Sequence, residues 1–316
     1  MDPRLVCCGL TTLDVVQVVE RVPGADEKVT ALAGHVAFGG PAANAAATAV
    51  ALGVPATLVT VLGAGPVAAA ARAGLADRGV TVVDLLDGVA DAAGWQLPVS
   101  TVLVTAGTGE RAVASANGTG LPADLLGRAA ASVLPAALAG ATCVLVDGHH
   151  LGAAVPLARA ARERGVPVLL DGGSWKPGLD RLLRVVDHAV LSAVFTVPAG
   201  AAGESLGAGN GAAAVDALLD VVAGLGPVTV ARSAGAGPVR VRRTGPTGVV
   251  REDVRPPSVP ADEVVDTLGA GDVLHGAVGA ALAGGAGPVE ALRSAVLTAA
   301  RSVRHPGALG WADAAG

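Results

Sequence analysis

Two aspartates flank a Gly-Ala-Gly turn in the stretch DTLGAGDVLHGA, residues 266–277. If a helix begins near Asp272, as the apolar pattern after it predicts, the amides of residues 269–271 lie at its positive N-terminal end. Such amides bind anions such as a phosphoryl group, and a turn without bulky side chains lets the anion approach. Asp272 would then accept the proton of an acceptor hydroxyl. In the alternative interpretation, Asp272 only caps the helix and Asp266 ends a loop.

The stretch GAGPVA, residues 63–68, is a rival phosphate site. It follows a predicted strand, opens a predicted helix and has the G-x-G-x-x-A spacing of dinucleotide-binding turns. Asp84 ends the next predicted strand about 20 residues later, where such proteins place the acid that binds the ribose. An NAD-dependent oxidoreductase is therefore one alternative, and an ordinary strand-to-helix turn is the other. The sequence contains no G-x-x-x-x-G-K-[ST] phosphate loop.

Composition limits the partners of the chain. Of its 316 residues 52% are hydrophobic, enough for a large core, yet no apolar run reaches the roughly 18 residues of a membrane span. The net charge of −5 and the lack of a basic block argue against nucleic acid and anionic membranes and favour a small-molecule partner. The N-terminus has no basic region before a long apolar stretch, which predicts a cytoplasmic protein. Cys7, Cys8 and Cys143 lack CxxC spacing and are expected to be reduced core residues.

Short apolar runs alternate with helical patterns over most of the chain, which predicts an α/β fold with a doubly wound, mostly parallel sheet flanked by helices. The predicted strands are residues 4–10, 56–63, 80–86, 142–148, 166–173, 188–192 and 228–232. The predicted helices are residues 41–52, 66–78, 153–164, 211–223, 272–283 and 288–303. Residues 11–38 and 94–118 resemble successive strands and turns instead, and we expect them to form a small separate sheet.

Two motifs resemble the signatures of the PfkB/ribokinase family of sugar kinases. VVDTLGAGDVLHGA resembles the C-terminal signature, and GGPAANAAATAVALG at residues 39–53 resembles the N-terminal one. The similarity extends over nearly the whole chain, and some features are closer to ketohexokinases. It implies a single ribokinase-like domain over residues 1–316, with residues 11–38 and 94–118 as a β-sheet lid through which two copies would pair. It also implies ATP-dependent phosphorylation of a hydroxyl of a small sugar or keto-sugar, with ATP, Mg²⁺ and a K⁺-type cation as cofactors.

The resemblance also assigns roles to individual residues. Asp272 becomes the general base, and the anion hole is formed by Gly269, Ala270 and Gly271. The sugar would be contacted by Asp14, Gly39, Gly40, Asn44 and Asp147. These assignments agree with the chemistry of the residues. Adjacent glycines let the backbone come close to a sugar, and carboxylate and amide side chains form hydrogen bonds with its hydroxyl groups. The nucleotide site would contain Lys176, Ser233, Gly235 and Gly237, and a monovalent-cation site would contain Asp266 and Gly307.

One segment departs from the family pattern. Many members carry N-x-x-E after the strand corresponding to AVLS, where the Glu helps to position Mg²⁺, whereas LSAVFTVPAG stands here and Glu204 is the first acid. Mg²⁺ would then be held through ATP oxygens and water. Two further alternatives follow from the comparison, a catalytically silent sugar-binding protein and a nucleoside kinase of the same fold. Two alternatives without a binding role also stay open: Asn44 as an ordinary amide inside a helix, and Lys176 as a solvated lysine in a loop.

Overall fold

Two sheets form the framework of the molecule, for which a computed structural model describes residues 2–89, 94–202, 209 and 211–314. The strands of the described residues are β1 (Leu5–Cys8), β2 (Thr12–Val19), β3 (Ala33–Gly39), β4 (Ala56–Thr60), β5 (Thr81–Asp84), β6 (Val99–Thr105), β7 (Arg111–Ser115), β8 (Cys143–Val146), β9 (Val168–Gly172), β10 (His188–Leu191), β11 (Thr229–Ala234), β12 (Gly237–Gly245) and β13 (Gly248–Val254). The larger sheet has the order β13-β12-β11-β10-β9-β8-β1-β4-β5. All its neighbouring pairs from β11 to β5 are parallel, and β12 and β13 are antiparallel. The prediction of a mostly parallel sheet is confirmed.

Helices cover both faces of this sheet. They are α1 (Pro41–Ala51), α2 (Pro66–Asp77), α3 (Ala123–Ala137), α4 (Leu151–Glu163), α5 (Leu179–Leu183), α6 (Ala199–Ala202), α7 (Ala212–Gly224), α8 (Ala270–Ala283), α9 (Pro288–Ser302) and α10 (Gly310–Asp313). Side chains alternate along a strand, so Val6 and Cys8 of β1 join a core with α3, α4 and α7. Leu5 and Cys7 face the opposite core, formed with α1, α8 and α9. The doubly wound arrangement is thus confirmed.

The smaller sheet, called the small sheet below, has the order β3-β2-β6-β7. Its central pair, β2 and β6, is parallel, and the outer pairs are antiparallel. Val16, Val102 and Val104 are buried and pack against Leu268, which lies just before α8. The predicted second sheet is confirmed, whereas its action as a lid and the single-domain organisation stay predictions.

Several elements escaped the sequence analysis, namely α3, the β12–β13 hairpin and the short helices α5, α6 and α10. Helix α3 contains Gly127 and Pro135, which interrupt the helical pattern. The β12–β13 hairpin lacks a continuous apolar run, because β12 carries arginines; for example, Arg240 pairs with Asp216 of α7 at 2.9 Å. Each predicted helix and strand is present, with ends that differ by at most a few residues.

The cysteines and helix lengths bear on two further expectations. Cys7, Cys8 and Cys143 are buried free thiols, as predicted. Within the described ranges, every helix is too short or too polar to cross a membrane.

Candidate active site

The first turn of α8 carries Asp272 and the predicted anion-binding backbone. The helix begins at Ala270, two residues earlier than predicted, with Gly269 as its N-cap in the left-handed region at φ 72°. A β-carbon on Gly269 would overlap Ala308, so both conformation and space require glycine there. At Gly271 an added β-carbon would meet no atom within 4 Å. The turn is therefore open on the Gly271 side, where an anion has room to approach.

The amides of this turn are not equivalent. The Ala270 N–H donates to the carbonyl of Thr267 at 3.3 Å. Across the described residues, the N–H groups of Gly271 and Asp272 have no backbone acceptor. These two amides, at the positive end of a helix, are thus available to an anion. The roles of Gly269 and Ala270 in the anion hole remain predictions.

Asp272 is held from a distant part of the chain. The side-chain amide of Asn44 donates to its Oδ2 atom at 2.7 Å, across 228 residues of sequence. Burial raises the pKa of Asp272 above its ordinary value, although the Asn44 hydrogen bond and the charges of His275 and Arg111 oppose the rise. The helix has no side-chain cap, so the simple capping interpretation of Asp272 is not supported.

On one side of the turn lies a cavity of about 320 Å³, here called the His35 cavity. Its walls include Asp14, His35, Asn44, Leu268 and Gly307. Two residues predicted to bind the sugar, Asp14 and Asn44, thus face one enclosed space, together with a residue predicted for the cation site.

Asp14 is held in this cavity by its neighbours on the small sheet. Thr12 Oγ1 donates to its Oδ1 atom at 2.6 Å. Burial raises the pKa of Asp14, while hydrogen bonds from Thr12 and Ser100 oppose the rise. A β-carbon on Gly39 would overlap the Asp14 carboxylate, and one on Gly40, which has φ 96°, would overlap the backbone at Leu10. Both glycines therefore make room for the packing around Asp14.

On the other side of the turn lies a cavity of about 350 Å³, here called the Ser233 cavity. Ser233, Gly235, Ala270 and Gly271 line it, and its remaining wall is mostly apolar, with Val239, Pro256, Pro257, Val259 and Val296. Gly237 begins β12 and is not part of the lining. An apolar slot that ends at helix amides suits a flat ring system that carries phosphates.

Asp147 is engaged with the protein itself. Its Oδ2 atom accepts from the N–H groups of Leu10 at 2.8 Å and Ala42 at 3.2 Å, and its Oδ1 atom accepts from the N–H of His149 at 2.9 Å. Burial opposes ionisation, yet His149 and these hydrogen bonds lower the pKa of Asp147 well below its usual range. The side chain is fully buried, so its predicted contact with a sugar stays a prediction that this geometry does not favour.

Lys176 lies away from both cavities. Its ammonium group donates to the Ser174 carbonyl and hydroxyl, each at 3.3 Å, and lines a third cavity, of about 630 Å³, with His149 and His150. Burial lowers the pKa of Lys176, and the charges of Asp147 and Asp171 oppose this. Its approach to the phosphates of a nucleotide stays a prediction.

Asp266 and Gly307 come together as predicted. The N–H groups of Gly307 and Leu268 each donate to the buried Asp266 carboxylate at 2.8 Å. Monovalent-cation binding there remains a prediction. Within the ranges described, no group of three or more His, Cys, Asp or Glu side chains could hold a metal ion. Mg²⁺ binding remains a prediction. Glu204 lies outside the described residues.

In the rival phosphate site at residues 63–68, the Asp84 carboxylate forms hydrogen bonds with the backbone of the turn itself. Asp84 accepts the N–H groups of Leu62 at 3.0 Å and Gly63 at 3.1 Å, and it pairs with Arg72 of α2 at 2.8 Å. The Asp84 side chain is only 4% exposed, so its oxygens are committed to the turn rather than presented to a ribose.

Three residues near Asp272 were not found from the sequence. Arg111 of β7 donates to the carbonyl and hydroxyl oxygens of Thr267 at 2.9 and 3.0 Å and lines the Ser233 cavity. Asp171 and His275 lie buried beside each other behind the first turn of α8. The sequence signal for Asp171 and His275 is a polar residue within an apolar pattern, in VLLDGG and GDVLHGA respectively. Neither stretch indicates which residue the side chain contacts.

Comparisons with known proteins agree with this fold. The model of the pfkB family of carbohydrate kinases matches residues 2–313. A ribokinase from Giardia lamblia has a TM-score of 0.75 at 19% sequence identity, over 100% of this chain and 98% of that one. Arabidopsis thaliana ribokinase, complexed with ribose and ATP, has a TM-score of 0.70 at 22% identity, over 98% and 96%. Escherichia coli phosphofructokinase-2, in complex with potassium, has a TM-score of 0.73 at 19% identity, over 97% and 94%. No curated protein sequence matches the chain significantly.

Proposed function

The chain belongs to the pfkB family of carbohydrate kinases, and we propose that it transfers the γ-phosphoryl group of ATP to a hydroxyl of a small sugar or keto-sugar. The observation that carries this proposal is the hydrogen bond between Asn44 and Asp272. Asn44 lines the His35 cavity, and Gly271, directly before Asp272, lines the Ser233 cavity. These neighbours of Asp272 support a position for it between the two cavities.

The transfer follows from that position. The sugar binds in the His35 cavity, where Asp14 accepts hydrogen bonds from its hydroxyls, and the adenine binds in the apolar Ser233 cavity. The acceptor hydroxyl attacks the γ-phosphorus, its proton passes to Asp272, and the bond to the β-phosphate oxygen breaks to release ADP. The amides of Gly271 and Asp272 stabilise the charge on the transferred group.

The cofactors follow from the same arrangement. ATP supplies the phosphoryl group, and Mg²⁺ neutralises its phosphate oxygens when bound. ATP and ribose in the Arabidopsis ribokinase complex support the choice of nucleotide and substrate class. Potassium in the phosphofructokinase-2 complex supports a K⁺ site near Asp266 and Gly307.

We also infer that the small sheet acts as the lid of one domain spanning the chain. Arg111 and the Gly109 carbonyl of its β6–β7 hairpin both bond to Thr267, two residues before the helix cap. The sheet therefore contacts the catalytic turn directly. The exposed apolar side chains of Leu32, Val36 and Val113 support a second copy that pairs through the same sheet.

A screen for ADP release tests the kinase proposal. Pentoses, hexoses, keto-sugars and nucleosides are supplied singly with ATP and Mg²⁺, and a sugar or keto-sugar should give the highest kcat/KM. The best substrate being a nucleoside would replace the proposal with a nucleoside kinase. Sugar binding by calorimetry without ADP release would indicate a silent binding protein.

A further inference from the structure

His275 lies behind the first turn of α8 and faces oxygen atoms on two sides. Its Nδ1 atom is 2.6 Å from the carbonyl oxygen of Gly271 in its own helix, and its Nε2 atom is 2.9 Å from the carbonyl oxygen of Val190 in β10. Only 4% of His275 is exposed. The ring thus spans the gap between the sheet and the turn that carries Asp272.

These contacts bear on the protonation state of the ring. A carbonyl oxygen only accepts hydrogen bonds, so a ring nitrogen at hydrogen-bond distance from it must carry a proton. A neutral imidazole has one N–H and would direct a lone pair at one of the two carbonyls. Both contacts are satisfied only when His275 is the doubly protonated imidazolium.

Asp171 supplies the counter-charge. Its Oδ2 atom is 3.2 Å from His275 Nδ1, and both side chains are almost fully buried. That oxygen has no hydrogen-bond partner of good geometry among the described residues, so its interaction with the ring is mainly one of charge. Burial raises the pKa of Asp171, and the charge of His275 opposes that rise. A buried ion pair of this kind fixes the elements that carry it, because separating the charges is costly.

The other charged groups around the pair come from several elements. They are Asp147 after β8, Lys176 after β9, Asp272 in α8 and Arg111 in β7. Together with Asp171 they include three carboxylates, and Lys176 and Arg111 are cations in addition to His275. The charge of His275 is one of those that oppose the rise in the pKa of Asp272.

We propose that His275 is a positioning residue which, as an imidazolium paired with Asp171, fastens the first turn of α8 to β9 and β10. The pair holds the carbonyl of Gly271, and thereby the direction of the Gly271 and Asp272 amides, against the sheet. The charge of His275 also opposes the rise that burial causes in the pKa of Asp272. The effect of the pair on catalysis rests on the proposed kinase function. The charge state of His275 and the titration of Asp272 do not depend on that function.

NMR tests the structural part without any substrate. With ¹⁵N-labelled histidine, both ring nitrogens of His275 should carry protons at pH 7.5, and Asp171→Asn should remove one of them. The carboxyl carbon of Asp272 should titrate at least about one pH unit higher in His275→Gln than in the parent. His188→Gln, which replaces a partly buried histidine at the start of β10, should leave the Asp272 titration unchanged. A single ring N–H in the parent, or an unshifted Asp272 titration in His275→Gln, overturns the proposal.

Kinetics test the positioning role. His275→Gln should lower kcat by up to about 100-fold, because a misplaced base and anion hole lose alignment, while KM for the sugar stays within about threefold. The acid limb of the pH–rate profile should move to higher pH by the same amount as the Asp272 titration. The double variant with Asp171→Asn should be no slower than the slower single variant, because the two residues act as a unit.

The outcomes separate this proposal from the kinase proposal. If both single variants keep the kcat of the parent and the acid limb of the pH–rate profile does not shift, the positioning role in an active kinase is refuted. If the parent phosphorylates no substrate, the kinase proposal fails, and the Asp272 titration alone decides the present one. If His275→Gln does not fold, Asp171→Asn carries both measurements, with loss of a ring proton and of kcat as the expected results.

Discussion

Replacing Asp272 with asparagine tests the proposed base with little change in shape. The asparagine side chain keeps an oxygen that accepts the hydrogen bond from Asn44, which is 2.7 Å long in the parent. The replacement also leaves the backbone of the Gly269 N-cap unchanged, since no side chain caps this helix. The change therefore removes the proton acceptor and preserves the contacts that hold it.

The expected magnitude follows from general-base catalysis. Loss of the base should lower kcat by roughly 10²- to 10⁴-fold, a rise in the activation free energy of about 3 to 5 kcal/mol. The affinities for sugar and ATP should change much less, because Asp14 and the apolar Ser233 cavity are intact.

Stability should not fall in this variant. Burial raises the pKa of Asp272, so the folded protein holds this proton more tightly than the unfolded chain does. The carboxyl group therefore costs stability as pH rises from its ordinary pKa through the raised one. The neutral amide of Asp272→Asn has no such cost, and above that interval the variant should unfold at the same temperature as the parent or a higher one.

The assay is steady-state ADP release on the best substrate, combined with calorimetric unfolding at several pH values. Asp262→Asn, at an exposed position before the same turn, is the matched control and should keep the parent's kcat. Turnover of Asp272→Asn within a few-fold of the parent, in a protein that binds both substrates, would refute the role of Asp272 as base.

Three further changes address the surrounding residues. Asp14→Ala should weaken sugar binding by about 1 to 3 kcal/mol, measured by calorimetry, and unchanged affinity would remove Asp14 from the site. Asp84→Ala should lower the free energy of unfolding in urea by about 1 to 3 kcal/mol, and NAD and NADP should bind neither protein; micromolar NAD binding lost on this change would restore the dinucleotide hypothesis. Arg111→Met should lower kcat/KM for ATP by about 10- to 100-fold. The control Arg21→Met, an exposed change just after β2 of the small sheet, should leave kcat/KM unchanged, and equal effects of the two changes would exclude a specific role for Arg111.

Elements with a strong apolar pattern were predictable from the sequence, and the site was predictable where a motif is local. The run LVCC of β1 is buried on both faces, which is the usual pattern of a central parallel strand. The Gly-Ala-Gly turn before α8 could be recognised because all its chemistry lies within a few residues. The exact helix start could not, because the apolar pattern begins after Asp272, whereas the N-cap is Gly269 in the left-handed conformation.

Contacts between distant segments were not predictable. Arg111 reaches Thr267 across 156 residues, and no spacing in the sequence indicates that pair. Asp147 was interpreted as a sugar ligand because its position in the chain resembles one. That role stays a prediction. What the sequence did not indicate is that the oxygens of Asp147 accept N–H groups from Leu10, just after β1, and from Ala42 of α1.

The position of Asn44 explains why two motifs so far apart in sequence belong to one site. A side-chain amide has two N–H donors and one acceptor oxygen, and one donor of Asn44 is already used by Asp272. The remaining donor and the oxygen are available to a sugar in the His35 cavity, which Asn44 lines. In the proposed mechanism, one side chain would therefore meet both the substrate and the base, and it would bring the acceptor hydroxyl to Asp272. Gly269, directly before α8, leaves space beside this contact, because a β-carbon there would overlap Ala308 and lie 3.7 Å from the Asn44 amide nitrogen.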